Sequence, residues 1–161
     1  MFQRIQSIAQ RRSLTEAELQ HMVDQISRLD RVKTLDLNGN VQKARLTQSQ
    51  LTQILSHVSV EVLVAPRTQL DSARFPQLNY YPLRVLDLSH TRLGDATVDD
   101  LPESLEELYV VQTAISDAGL DKLARLKNLN YLDIRRTPTS EAAAERLRRQ
   151  LPDCTVLWSA L

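Results

Sequence analysis

Three aspartates, Asp36, Asp87 and Asp133, occupy the same place in three similar segments, TLDL, VLDL and YLDI, where each carboxylate is expected to leave the outer face of a short strand. A row of carboxylates is raw material for a metal site or an acid–base pair. Spacing argues against both. Val64 comes between the first two and Tyr109 between the second two, so neighbouring aspartates should lie two strands apart, roughly 9 to 10 Å at about 4.8 Å per strand. Ligands that share a metal must be within about 5 Å of each other. His90 follows Asp87 closely and is expected to be solvated, His21 and His57 fall on or after helices, and Cys154 sits in LPDC as a structural thiol. There is no GxSxG, no Gly-rich phosphate loop, no HExxH and no second cysteine to help hold zinc. The sequence therefore predicts no catalytic residue, no metal ligand and no cofactor. An enzyme of unrecognised type would need a deep pocket with convergent polar groups.

What would position these residues is a repeat. Residues 83–93 (LRVLDLSHTRL), 105–115 (LEELYVVQTAI) and 129–139 (LNYLDIRRTPT) share one frame of apolar, two variable, apolar, one variable, apolar, two variable and Thr. Looser copies start at Val32 (VKTLDLNGNVQ) and Val60 (VEVLVAPRTQL), and CTVLW truncates the frame near the end. The middle apolar positions are Leu35, Leu63, Leu86, Leu108, Leu132 and Val156, spaced 28, 23, 22, 24 and 24 residues apart. A fixed period of this length marks a stacked repeat array. With 27 leucines against seven aromatic residues, the core is built mostly of leucine.

The LxxLxL segments with a following Asn or Thr resemble the leucine-rich repeat family over roughly residues 32–158. The stretch TAISDAGLDKLARLKNLNYL is similar to the ribonuclease-inhibitor-like and cysteine-containing types, which carry a helix in each repeat. The resemblance implies an α/β solenoid, a short right-handed horseshoe of about five repeats with one parallel sheet on its concave face. Ala65 and Pro66 depart from the second strand, and Pro76 and Pro82 interrupt the helix expected before the third.

Alternation along a strand puts Leu108 and Val110 on the core side and Glu107, Tyr109 and Val111 on the other. Thr68, Thr91, Thr113 and Thr137, with Asn40, fall where the chain leaves each strand, and their short polar side chains can hydrogen-bond buried backbone there. Ser116 and Ser140 are expected to cap helices that bury Leu120, Leu123 and Leu126 in one case and Ala144, Leu147 and Leu151 in the other, the second stopping at Pro152. Thr47 with Gln50 forms a capping-box pattern before Leu51, Ile54 and Leu55. DATVDDLPES has room for only a turn or two of helix.

The chain reads as one domain over residues 1–161. Residues 1–31 form a helical cap or degenerate repeat, 32–151 the repeats and 152–161 a C-terminal cap in which Trp158 covers the last leucine layer. Ile5 and Ile8 suit a vestigial strand, and Thr15 to Leu29 a helix burying Leu19, Met22, Val23, Ile26 and Leu29. Leu19, Met22, Ile26 and Leu29 also fit a short coiled-coil seam, which makes a homodimer the alternative to a monomer.

Function follows from the outward positions. Val62, Val64, Val85, Tyr109, Val111 and Tyr131 have no core to enter on that face, and Asp87, Glu107, Asp133 and Arg135 surround them. Exposed apolar and tyrosine side chains with a charged rim have the composition of an interface. The expectation is a non-catalytic module binding a protein or peptide on its concave face; the alternative is a self-associating scaffold subunit. With 20 basic and 20 acidic residues the net charge is zero, which argues against nucleic acid as the partner. No apolar run approaches the roughly 18 residues of a membrane helix, and MFQRIQSIAQ lacks a secretory pattern. A cytoplasmic setting and no membrane partner are expected.

Overall fold

The structure, a computed structural model, describes residues 4–6, 17, 18, 21, 25, 32–38, 47–68, 75 and 78–161. Among the described residues, seven three-residue strands form one sheet in chain order: β1 Arg4–Gln6, β2 Thr34–Asp36, β3 Val62–Val64, β4 Val85–Asp87, β5 Glu107–Tyr109, β6 Tyr131–Asp133 and β7 Thr155–Leu157. Every adjacent pair is parallel. The register aligns Ile5, Leu35, Leu63, Leu86, Leu108, Leu132 and Val156 in a single row, the row that the periodicity predicts, with Ile5 extending it by one strand. The return segments contain α1 Gln48–Leu55, a 3₁₀ turn Leu78–Tyr80, α2 Asp95–Val98, α3 Asp117–Leu123 and α4 Glu141–Gln150. The architecture is an open α/β leucine-rich repeat solenoid.

Each repeat sends three strand-side residues into the core. Leu105, Leu108 and Val110 are all 0% exposed, and the equivalent residues of the fourth and third strands, Leu83, Leu86 and Leu88, and Val60, Leu63 and Ala65, are buried in the same way. No layer can enclose its own leucines, so the layers above and below supply the cover. The backbone ladder runs past the short strands at both ends. The N–H groups of Glu106 and Glu107 both donate to the Arg84 carbonyl, and those of Val110 and Gln112 donate to Asp133 and Arg135.

The turn after each strand repeats atom for atom. The hydroxyls of Thr68, Thr91, Thr113 and Thr137 donate to the carbonyls of Ala65, Leu88, Val110 and Ile134 at 2.9, 2.8, 2.8 and 2.6 Å. All four threonines are buried, so each bond satisfies a carbonyl that water cannot reach. The residue before each threonine, Arg67, His90, Gln112 or Arg136, lies in the left-handed region, with φ of 59°, 60°, 54° and 57°. Non-glycine residues are uncommon there. Their N–H groups donate to Ser89, Val111, Arg135 and Ser159, and this pairing holds the turn in place.

Both serine caps form as the sequence predicts: Ser116 Oγ accepts from the Ala118 N–H at 3.3 Å and Ser140 Oγ from the Ala143 N–H at 3.1 Å. An aspartate of the preceding repeat clasps each cap. Ser116 donates its N–H and hydroxyl to Asp95 at 2.8 and 2.5 Å, and Ser140 donates both to Asp117 at 2.7 Å. These bonds, the backbone one first, hold the Asp117 carboxyl below its ordinary pKa. Gly119 is the residue that lets α3 come this close, since a Cβ there would collide with Asp95 Oδ1. Arg125 collects carbonyls at and after the end of α2, donating to Val98 at 2.8 Å and Leu101 at 2.7 Å, where a one-turn helix has few acceptor sites filled by its own backbone.

Among the described residues between β3 and β4 there is a 3₁₀ turn and no α-helix, with Phe75 and Leu78 buried. At the C-terminal end Val156 is buried, Trp158 packs on the core and its Nε1 donates to the Thr139 carbonyl at 3.2 Å. Burial pushes the Cys154 thiol up to about 11. In the N-terminal segment Ala17, Glu18, His21 and Gln25 are helical and exposed. The predicted stripe Leu19, Met22, Val23, Ile26 and Leu29, together with Ile8 and Asn40, lies outside the described residues.

Two stability measurements test this arrangement. Leu108→Ala should cost about 2 to 5 kcal/mol in chemical denaturation, because a fully buried leucine leaves a cavity that neighbouring layers cannot fill. At the left-handed turn, Gln112→Gly should change stability by less than about 1 kcal/mol, whereas Gln112→Val should destabilise by about 1 to 2 kcal/mol, since a β-branched side chain tolerates that backbone poorly.

Candidate functional site

The parallel register turns the outward strand positions into a grid. One column runs Thr34, Val62, Val85, Glu107, Tyr131, Thr155, and the next runs Asp36, Val64, Asp87, Tyr109, Asp133, Leu157. Val62, Val64, Val85, Tyr109, Val111, Tyr131 and Leu157 are partly exposed, and they form an apolar surface along the sheet. Leu157 was not among the sequence-predicted positions; carrying the register one strand beyond β6 would have found it. The rings of Tyr109 and Tyr131, on adjacent strands, lie 5.2 Å apart with a 39° tilt, a favourable aromatic pairing.

The aspartate column has a backbone function that the sequence reading did not identify. Asp36 Oδ1 accepts the N–H two residues on, at Asn38, at 2.9 Å; Asp87 does the same for Ser89 at 2.9 Å, and Asp133 for Arg135 at 3.2 Å. The repeats with Val64 and Tyr109 in that column solve the same problem differently. After Val64 the residue two places on is Pro66, which has no N–H to satisfy. After Tyr109 the N–H of Val111 donates instead to Ser89 Oγ of the preceding repeat at 3.3 Å. The carboxylates cap strand ends; they do not converge on an ion. Among the described residues no group of three or more His, Cys, Asp or Glu could hold a metal.

Asp133 differs from the exposed carboxylate expected of it. It is 2% exposed and lies under the Arg135 guanidinium, which donates from Nε to Oδ1 at 2.9 Å and from the terminal nitrogen to Oδ2 at 2.6 Å. Burial without a counter-charge would be costly, and the bidentate pair offsets that cost. Asp133 and Arg135 thus present one compact neutral pair, with the exposed arginine as its outer surface. Glu107 is also occupied, accepting from the Tyr109 hydroxyl at 2.8 Å. His90 is exposed, its Nδ1 3.2 Å from Gln112 Oε1. An open depression of about 600 Å³ over α1, lined by Gln48, Ser49, Thr52, Gln53 and Ser56, contains no titratable side chain.

Tyr109 shows how the face is held. Burial first, then the hydrogen bond to Glu107 and the negative charges of Glu107 and Asp87, raise its pKa from 10.0 to about 12. The folded state therefore keeps a proton that the unfolded chain loses above pH 10, and the stability this provides is lost as pH rises from about 10 to about 12. Absorbance titration should find a tyrosine ionising well above the ordinary range, and Glu107→Gln should lower that value. An unchanged titration in Glu107→Gln would remove Glu107 from the account.

A family model described as Leucine Rich repeat matches residues 82–98, the stretch that contains β4 and α2. No curated protein matches the chain. No helix among the described residues is long and apolar enough to cross a membrane. The matched strand and return recur in register along the sheet, each layer covering the leucines of the next, so the match and the fold together support a leucine-rich repeat family.

Proposed function

We propose that this chain is a non-catalytic module that binds another protein or peptide on its concave sheet face. Leucine-rich repeat domains generally bind proteins and are typically not enzymes, and the helices returning on the other side, strongest in α3 and α4, favour the ribonuclease-inhibitor-like or cysteine-containing type. One observation carries the proposal: Val62, Val64, Val85, Tyr109, Val111 and Tyr131 are partly exposed on one face of the sheet. Tyrosine and aliphatic side chains at the centre, with Asp87, Glu107 and Arg135 around them and Asp133 buried beneath Arg135, match the anatomy of a protein interface. The backbone bonds of Asp87 and Asp133 shift the expected contribution toward the tyrosines and valines, with Arg135 offering charge. A monomer without cofactor in the reducing cytoplasm fits this reading, and the single buried thiol suits that setting.

Substitution of both rings tests it. Tyr109→Ala combined with Tyr131→Ala removes the central contact surface while sparing every leucine of the core. In parallel pull-downs from the source cell, the variant should lose the proteins that the unaltered chain captures, with an unchanged circular dichroism spectrum. Undiminished capture by a folded double variant would count decisively against the sheet face.

A further inference from the structure

We propose that the loops at the carboxyl ends of the strands form a cationic docking rim for an extended protein segment with acidic side chains along one edge and apolar side chains along the other. This rests on the sheet face being the binding surface and adds the charge of the partner.

Although the chain is neutral overall, its charges are segregated. Residues 65–68, 88–94, 110–116 and 134–140 contain Arg67, His90, Arg92, Arg135 and Arg136 and no aspartate or glutamate. Arg135 is paired with Asp133. Arg67, Arg92 and Arg136 are exposed and make no ion pair among the described residues. The opposite end of the sheet contrasts with this, since Lys33 pairs with Glu61 and Arg84 with Glu106 there.

Backbone geometry aligns the rim. Arg67, His90, Gln112 and Arg136 share the left-handed conformation and one register position, so their side chains leave the turns in a common direction. At about 4.8 Å per strand, Arg67 and Arg136 stand three strands or about 14 Å apart, a span that a short extended segment crosses. Their N–H groups are already donated to the next strand, so the backbone has no anion cradle to offer and recognition falls to the side chains. The partly exposed Asp87 and Glu107 give the neighbouring strand surface negative charge. A uniformly charged polyanion is disfavoured by these carboxylates, whereas a segment acidic on one edge only keeps its anions over the arginines and its apolar groups over Val85, Tyr109 and Tyr131.

Fluorescence anisotropy with three labelled synthetic peptides tests the inference, one alternating Glu with Tyr, one Lys with Tyr and one Glu with Ser, with oligothymidylate as a fourth probe. The Glu/Tyr peptide should bind best, more weakly as salt rises, and Arg67→Glu with Arg136→Glu should weaken it about tenfold with a flatter salt dependence. Arg67→Gln with Arg136→Gln serves if charge reversal prevents folding. Equal binding of the Lys/Tyr peptide, or unchanged affinity in both double variants, overturns the rim and leaves the sheet-face reading intact. Equal binding of the Glu/Ser peptide supports the rim and removes the apolar face. Failure of the Glu/Tyr peptide to bind, or tighter binding of oligothymidylate, overturns the proposal.

Discussion

A leucine in this molecule cannot be buried by its own repeat. A strand of three residues has too little surface to enclose Leu108, so the side chain reaches 0% exposure only because Leu86 lies on one side and Leu132 on the other in exact register. Burial of a leucine is worth roughly 1.5 to 3 kcal/mol, and here that energy is available only to a stack. The dependence fixes the parallel order, since a slip of one residue would turn every leucine toward solvent and every outward side chain toward the core. The outward grid is therefore a consequence of core packing, and its geometry is as firm as the core beneath it.

Stacking also creates a polar problem, because each repeat must turn away from the sheet with its backbone groups covered by the next. The solution is a set of short side chains at fixed places. Threonine hydroxyls take the carbonyls three residues back, aspartates take the N–H groups two residues on, and Asp95 and Asp117 fasten the serine caps of the following helices. Polar residues that resemble a functional cluster in the sequence are thus largely engaged in satisfying backbone, where an unpaired buried group would cost about 1 to 3 kcal/mol. The clearest sign is compensation: where Val64 and Tyr109 stand in place of aspartate, either the N–H is absent too, at Pro66, or Ser89 replaces the carboxylate.

These two layers of organisation explain what could be read directly. The leucine row, the threonines and the serine caps were legible because each is a local pattern repeated at a near-constant interval, and the physical demand on each residue is met within three or four positions of it. The Asp95 and Asp117 clasps reach across 21 and 23 residues to the next repeat, so only the folded register brings their partners together. The burial of Asp133 depends on how Arg135 folds back over it, which spacing alone does not specify. Left-handed φ at Arg67, His90, Gln112 and Arg136 went unseen because no glycine marks it; tertiary hydrogen bonds impose the conformation against the preference of the side chains.

The same logic separates what the surface offers from what it merely contains. Asp36, Asp87 and Asp133 are spent on backbone, and Glu107 on the Tyr109 hydroxyl. Subtracting these leaves the valines and tyrosines, whose burial by the fold is incomplete, and Arg67, Arg92 and Arg136 of the turns, which make no ion pair among the described residues. Net neutrality conceals this because it sums over two ends of the sheet that differ: among the described residues, one pairs Lys33 and Arg84 across neighbouring repeats, while Arg67, Arg92 and Arg136 at the other have no ion pair. In a solenoid each strand end repeats the chemistry of the last, so even a small bias per repeat accumulates into a row. A partner reads that row, and a whole-chain charge is a poor guide to it.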